Sequence, residues 1–435
     1  MTTAIPRTAT PLSPSASGRR LLVIGINYAP EHSGNAPYTT GLAEHAAATG
    51  WDVTVLTAMP HYPAWRVDRA YRGRLTVTEV RHGVTIRRQA IYVPSRQSAL
   101  RRALYESSFL VSALPVANLP RPDVIMGIVP SLSGGILARL YAARFHAPYG
   151  LLFQDLMGPA AAQSGIEGGG SVARAVGRAE AWAVARARAV GAVTQAFFPY
   201  LASLDVPAER LVHVPNWTHI SAPTADRAST RSRLGWDDGR TVVLHAGNMG
   251  LKQGLEHLVA AARMAASQAP GIRFVLLGDG NQRAALRRLA AGLDNLDFMD
   301  PVPDEVFPDV LAAADVLVVC ERPSVREMSL PSKLTSYVAA ARPIVAAVGT
   351  GGTTAREIEG AGIGLVVAAG DSRALLDSVA RLASDDALVH RLLRAAAAYA
   401  ADHSRASAAT RLDALLALVA RGVPHQSRIS TGAAA

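Results

Sequence analysis

The sequence predicts an α/β protein built of two doubly wound domains whose parallel sheets face a shared interdomain cleft. Three observations carry this prediction. Short, continuously apolar runs alternate with alanine-rich amphipathic stretches, the pattern of parallel strands covered by helices on both faces. The alternation breaks off at a polar stretch and then restarts. The length, 435 residues, corresponds to two or three domains at roughly 150 residues each.

The elements follow in order. Arg20–Tyr28 (RLLVIGINY) reads as a buried first strand, and Asp52–Ala58, Asp123–Val129, Tyr149–Asp155 and Ala189–Thr194 read the same way. Helical stretches lie between them at Tyr38–Thr49, Gly135–Phe145 and Val172–Ala187. After RLVHVPNW comes a polar stretch, Thr218–Arg240, rich in Ser, Thr, Asp and Arg. Thr241–Gly247 (TVVLHAG) opens a second series, continued by IRFVLLGDG, LDFMD, DVLVVC, RPIVAAV and GLVVAAG. The expected organisation is a tail at 1–19, a first domain at 20–217, a linker at 218–239, a second domain at 240–405, a terminal helix at 406–423 and a tail at 424–435. The helical stretch Ser404–Val419 fits against either domain. Ligands of open α/β sheets bind outside the carboxyl ends of the strands, so the cleft is the expected site.

Composition narrows the classes. Hydrophobic residues make up 49% of the chain and mean hydropathy is +0.17, which excludes global disorder. The single cysteine, Cys320, excludes an intrachain disulfide and a cysteine-built metal site. No apolar run reaches the 18 residues or so of a spanning helix, and the first 19 residues lack a signal-peptide core. The net charge is +10, and residues 61–110 hold ten arginines against three acids. Within them Ser98–Leu114 reads either as an amphipathic helix for an anionic membrane surface or as a solvated basic face. Aromatics are only 6% and are not interleaved with basic residues, so no nucleic-acid partner is expected.

Only two of the 44 basic residues are lysines, Lys252 and Lys333. In a chain that accepts arginine nearly everywhere, a retained lysine points to a need for a compact ammonium. Lys252 lies in LHAGNMGLKQGLEHL, where Gly247, Gly250 and Gly254 bracket Asn248 and the lysine between a strand and a helix. Backbone amides with one ammonium suit a diphosphate. Lys333 follows Pro331-Ser332 at a helix start, with Ser332 a candidate N-cap. The loop after the first strand, Glu31-His32-Ser33-Gly34-Asn35, opens a helix near Pro37 and reads as an anion loop or as a tight turn. Gly278-Asp279-Gly280 reads equally as ligand contact or structural turn. His61, in MPHYP, either touches an acceptor or closes its loop.

These stretches together resemble the retaining glycosyltransferases of family 4, which have the GT-B fold of two Rossmann-like domains. The matching segments are APEHSGNAPYTTGLA, QDLMGPAAAQSG, VPNW, AGNMGLKQGLE, LLGDGNQR, PSKLTSYVAAARPIVA and GTTAREIEGAGIGLVV, which span Leu21 to Leu382. The nearest subgroup is the colanic-acid and exopolysaccharide type. The resemblance implies an N-terminal acceptor-side domain and a C-terminal domain that binds a nucleotide sugar. It implies that Gly34 and Asn35 approach the sugar and diphosphate, and that Asn248, Met249 and Lys252 hold the diphosphate with Gly278 and Asp279 nearby. Pro331, Ser332 and Lys333 complete the phosphate contacts, Ser336 stands at the ribose and Val302 at the base. Asp155 lies near the acceptor and anomeric carbon and joins Lys252 and Lys333 as a catalytic residue. Glu31, His32 and His61 face the acceptor.

This sequence departs from the family pattern at three places. Asn248 stands where an arginine is common. Met328 and Ser336 stand where a pair of glutamates eight residues apart is usual, with Glu327 beside the first. Ile128 stands where a histidine is common. The donor expected is a UDP- or GDP-sugar, and the acceptor a glycan or a polyprenyl-diphosphate-linked glycan. No cofactor and no metal are expected, since no Asp-x-Asp triplet occurs and two ammonium groups can serve the leaving diphosphate. The expected location is cytoplasmic, or peripheral on the inner face of the plasma membrane. Two alternatives share the fold: a nucleotide-sugar 2-epimerase and an inactive nucleotide-sugar-binding paralogue.

Overall fold

The computed structural model describes residues 18–95, 98–116, 118–162, 169–218, 220–325 and 330–421. Met328, Glu327, nearly all of the expected N-terminal tail and the whole of the C-terminal one lie outside them.

The first sheet holds β1 (Arg20–Ile24), β2 (Asp52–Ala58), β3 (Thr76–Arg81), β4 (Val84–Gln89), β5 (Val124–Val129), β6 (Tyr149–Phe153), β7 (Ala189–Ala192) and β8 (Leu211–His213). Their order is β3-β4-β2-β1-β5-β6-β7-β8. All pairings are parallel except β3 with β4. The second sheet holds β9 (Thr241–Ala246), β10 (Ile272–Leu277), β11 (Leu296–Met299), β12 (Val316–Cys320), β13 (Ile344–Val348) and β14 (Gly364–Ala368). It runs β11-β10-β9-β12-β13-β14, parallel throughout. Every residue of β5, β6, β12 and β13 is buried, as two-sided helix cover requires.

In both sheets the strand order reverses beside the first strand, between β1 and β5 and between β9 and β12. The chain leaves β1 toward β2 and β5 toward β6, in opposite directions, so the connecting segments splay apart and leave a crevice at the strands' carboxyl ends.

The β3–β4 hairpin lies in a stretch to which the sequence reading assigned no strand. Its residues alternate apolar with Thr, Arg and Glu, so it lacks the continuous apolar run that marks the other strands. Arg81 pairs with Val84, leaving a two-residue turn whose His82 and Gly83 both have positive φ, 46° and 78°. That geometry suits the right-handed twist of a hairpin.

The expected linker contains a short helix, Arg227–Leu234, capped by Asp226. The helix Arg405–Val419 packs on the first sheet, not the second. Its Leu412, Leu415, Leu416 and Val419 share a core with Leu21, Val23 and Met126. Gly150 and Gly191 make the room: a Cβ on either would lie 2.6 Å from Val419 or 2.8 Å from Leu415. Each large side chain so buried contributes about 2 kcal/mol.

Candidate functional site

The reversal points of both sheets supply the cleft. From the first come the loop after β1 and the start of helix Ala36–Ala48, with Gly34 at φ 64° and Pro37 in the first turn. Asp155 follows β6 and is half-buried. The Asn35 side chain hydrogen-bonds the Asp155 carboxyl. Burial raises this carboxyl's pKa to about 6, against the opposing pull of Lys252, Arg102 and the Asn35 bond. Asp155 therefore senses Lys252 from the opposite lobe.

Lys252 is exposed and sits in a single 3₁₀ turn, Leu251–Gln253, closed by Gly254 at φ 58°. Its carbonyl accepts from Arg322 N at 2.9 Å, which ties the turn to the segment after β12. Lys333 is the first residue of helix Lys333–Ala339 and is partly accessible. Desolvation lowers its pKa to about 8, with Cys320 and Glu321 pulling the other way. Glu321, just past β12, is raised to about 7 by burial, opposed by Thr354 (whose hydroxyl donates to it at 3.0 Å) and by both lysines. Lys252, Lys333 and Glu321 thus form one electrostatic cluster on the second lobe, which Lys252 couples to Asp155 on the first. Bonds between the lobes include the Tyr38 hydroxyl with Thr335 and Thr194, which donates to Glu357 at 2.6 Å.

The remaining predicted site residues divide between cleft and core. Ser332 is exposed at the N-cap position, but its side chain makes no cap bond; its carbonyl accepts from the Thr335 hydroxyl at 2.9 Å. Pro331 precedes it, half-buried. Ser336 is buried one turn into the helix, 6% exposed. Asn248 is half-buried in the loop after β9. Met249 turns into the core of the second lobe, and its backbone is spent on Asp279 O at 2.8 Å and Gln282 N at 2.9 Å. Val302 packs at the edge of a neighbouring core. Glu31 is buried, and its carboxylate accepts from His61 N and Tyr62 N at 2.8 Å and from Asn27 at 2.9 Å. His61 is buried too, with one ring nitrogen on Met59 O at 2.8 Å and the other on the Tyr105 hydroxyl at 2.9 Å. Both therefore hold the 59–62 loop. His32 is exposed beside them.

Gly278 and Gly280 have a steric reason to be glycine. Gly278 has φ 131°, and a Cβ there would lie 2.0 Å from the Gly247 carbonyl oxygen. A Cβ on Gly280 would lie 2.5 Å from Met249 O. The loops after β9 and β10 interlock here, which fixes the loop that carries Asn248. Asp279 caps its own turn, accepting from Gly280 N at 2.8 Å. Gly278→Ala is expected to destabilise the chain by about 3 kcal/mol, read as a lower urea midpoint; an unchanged midpoint would show that the loops separate freely.

Two charged residues in the cluster escaped the sequence reading. Glu321 follows an apolar strand with no spacing motif around it. Arg102 was read only as part of a basic helix face. It reaches Asp155 from helix Ala99–Ala113, pairs with Glu106 at 3.2 Å and stacks over Tyr105 at 5.1 Å. Its position one turn before Glu106, on the side of Tyr105, was the available signal.

Comparison with known proteins agrees with this geometry. Residues 33–217 match the family model "Glycosyl transferase 4-like domain" and residues 240–385 match "Glycosyl transferases group 1". The chain is 32% identical over 332 residues to a protein described as "Putative colanic acid biosynthesis glycosyl transferase WcaI" from Escherichia coli K12, covering 74% of this chain and 81% of that one. Its fold matches sucrose-phosphate synthase from Thermosynechococcus elongatus with a TM-score of 0.67 at 20% identity, covering 92% and 98% of the two chains. It also matches Anabaena HepE in complex with UDP-glucose, with a TM-score of 0.62 at 16% identity, covering 92% and 99%. Among the described residues no helix is long and apolar enough to cross a membrane. With two parallel α/β lobes, a cleft at both reversal points and these relatives, the chain belongs to the group 1, family-4-type glycosyltransferases of GT-B fold.

Proposed function

We propose that this glycosyltransferase moves a sugar from a UDP- or GDP-sugar to a glycan or polyprenyl-diphosphate-linked acceptor, with retention, during assembly of a cell-surface polysaccharide. The observation that carries the reading is that Asp155 of the first lobe meets Lys252 of the second, where Lys252 and Lys333 share Glu321. Breaking a sugar–phosphate bond builds negative charge on the leaving diphosphate. Lys333, half-desolvated, and Lys252 neutralise it without recourse to a metal, each such donor being worth ~3 kcal/mol in the transition state. Asp155, on the opposite lobe, stabilises the positive charge that grows at the anomeric carbon. The acceptor attacks on the face the diphosphate leaves, and the departing phosphate takes the acceptor's proton. Closure of the lobes keeps water from the sugar.

The test is a screen of UDP-, GDP- and ADP-sugars for thermal stabilisation and turnover, with anomer and product analysis. A transferred sugar of retained configuration supports the reading. A free epimerised sugar points to 2-epimerase chemistry, and binding without turnover to an inactive paralogue.

The membrane component rests on helix Ala99–Ala113. Its inner face buries Tyr105, Phe109 and Ala113, while Leu100, Leu104 and Val111, with Leu114 just beyond, lie 44–75% exposed. An exposed apolar stripe in the most basic part of the chain suits an anionic leaflet, each nearby arginine adding ~1 kcal/mol. The chain is expected to co-sediment with phosphatidylglycerol vesicles, to be released by salt, and to bind at least tenfold more weakly as Leu100→Glu/Leu104→Glu. Absence of salt-sensitive binding rejects the membrane component alone.

A further inference from the structure

Beside the lysine–carboxylate cluster lies a second cleft, of about 360 Å³, within the size range of small-ligand sites. Its floor is formed by Glu31 and His61, and its rim carries Arg66, Arg69 and Arg72. The floor is chemically closed. All three strong contacts of the Glu31 carboxylate are backbone or amide donors, two from the 59–62 loop and one from Asn27, and both His61 nitrogens are engaged. The rim is open. The three arginines are exposed, and among the described residues none of them forms an ion pair. Asp68, the nearest acid in sequence, is turned to capping Ala70 N at 2.9 Å.

The segment that carries these arginines is rigid. Arg66 N donates to His61 O at 3.1 Å and Asp68 N to Pro60 O at 2.9 Å. Arg72 Nε donates to Val67 O at 3.0 Å, leaving its terminal nitrogens for other partners. Trp65 packs edge-on against Tyr62, His61 and Tyr105 at 5.7–6.2 Å between ring centres, and it holds φ 48°, rare for a bulky residue. Tyr62 lines the cleft, lies against Gly34, and has its phenol pKa raised by burial, with Glu31 and Asp155 adding and Arg102 opposing. From Gly34 the chain runs directly to Asn35, which bonds Asp155. The cleft therefore abuts the proposed reaction centre on the acceptor lobe.

We propose that this cleft binds an anionic group of the acceptor, a phosphate by preference, through Arg66, Arg69 and Arg72, while the acceptor hydroxyl reaches past Tyr62 to Asp155. Guanidinium forks on a fixed loop suit a phosphate's several oxygens. A concave pocket suits a single phosphorylated group better than the flat plane of lipid headgroups. The inference rests on the proposed acceptor side of this enzyme, and it adds the charge that the acceptor carries.

The experiment uses the full chain as Lys252→Ala/Lys333→Ala, so that the donor clamp does not compete. Glucose 1-phosphate is titrated by calorimetry against this variant and against the same variant carrying Arg66→Gln/Arg69→Gln/Arg72→Gln. One-to-one binding, weakened at least tenfold by the arginine changes, is expected, with no binding of glucose. Glucuronate binding as tightly as glucose 1-phosphate would reassign the site to a carboxylate and overturn the phosphate preference. Unchanged affinity in the arginine variant, or binding only to anionic vesicles, would overturn the proposal outright. Arg69→Gln alone, an exposed change, is expected to weaken binding several-fold, and serves if the triple change lowers the melting temperature; unchanged affinity there counts against the proposal. Because the probe is read without donor, a failure of the donor clamp leaves this result standing, and the reverse.

Discussion

Lys333→Ala and Lys252→Ala are each expected to lower turnover by about a hundredfold or more, measured as initial rates at saturating donor. Alanine removes an ammonium that acts on charge developing at the leaving phosphate, so the loss falls mainly on kcat. The contribution of Lys333 is read out in a pH series. Lys333 has a pKa lowered to about 8 by desolvation, so its charge is complete below that value and is lost as pH rises through it. The alkaline limb of kcat/KM, which reports the free enzyme, is expected near pH 8 and to move upward in Lys333→Arg. Near-normal turnover in both alanine variants would remove the basis of the clamp.

Asp155→Asn is expected to reduce kcat by about a hundredfold or more, with little change in donor affinity. The carboxyl, raised to about 6 by burial, is neutral below that pH and ionised above it. Activity that requires the carboxylate therefore falls as pH drops through 6, and asparagine, which keeps shape and loses charge, should flatten that limb. An acid limb persisting unchanged in Asp155→Asn would assign it to another group, with Glu321 the next candidate because its pKa is raised to about 7. Thr354→Val, which removes the hydroxyl donated to Glu321, would then shift the limb upward.

What was legible in the sequence followed from local signals. β1, β5 and β9 announce themselves as apolar runs because both faces of a parallel sheet are covered, and their restart after a polar stretch revealed two lobes. Lys252 and Lys333 stood out only because arginine fills the other basic positions. The β3–β4 hairpin was missed because one face meets water, so its pattern looks like a charged loop. Arg102 and Glu321 could not be found from spacing, since the first arrives on a helix 53 positions before Asp155 and the second meets Thr354, Lys333 and Lys252 from separate segments of its own lobe. Met249 shows the converse: it lies in the glycine loop between Asn248 and Lys252, but the interlock with Gly280 turns its side chain inward. Glu31 and His61 likewise carry chemistry-bearing side chains that the fold uses to fasten a loop.

The return of helix Arg405–Val419 to the first sheet has a mechanical consequence. The backbone passes between the lobes twice, once between Val214 and Thr224, whose amide donates to Asp309 at 2.7 Å, and again between Tyr399 and Leu412, which lie in cores of different lobes. Two tethers leave rotation about the line joining them as the easy motion and resist sliding or twisting. Opening and shutting then resemble a book on its spine, and each closure brings the same pages together in the same register.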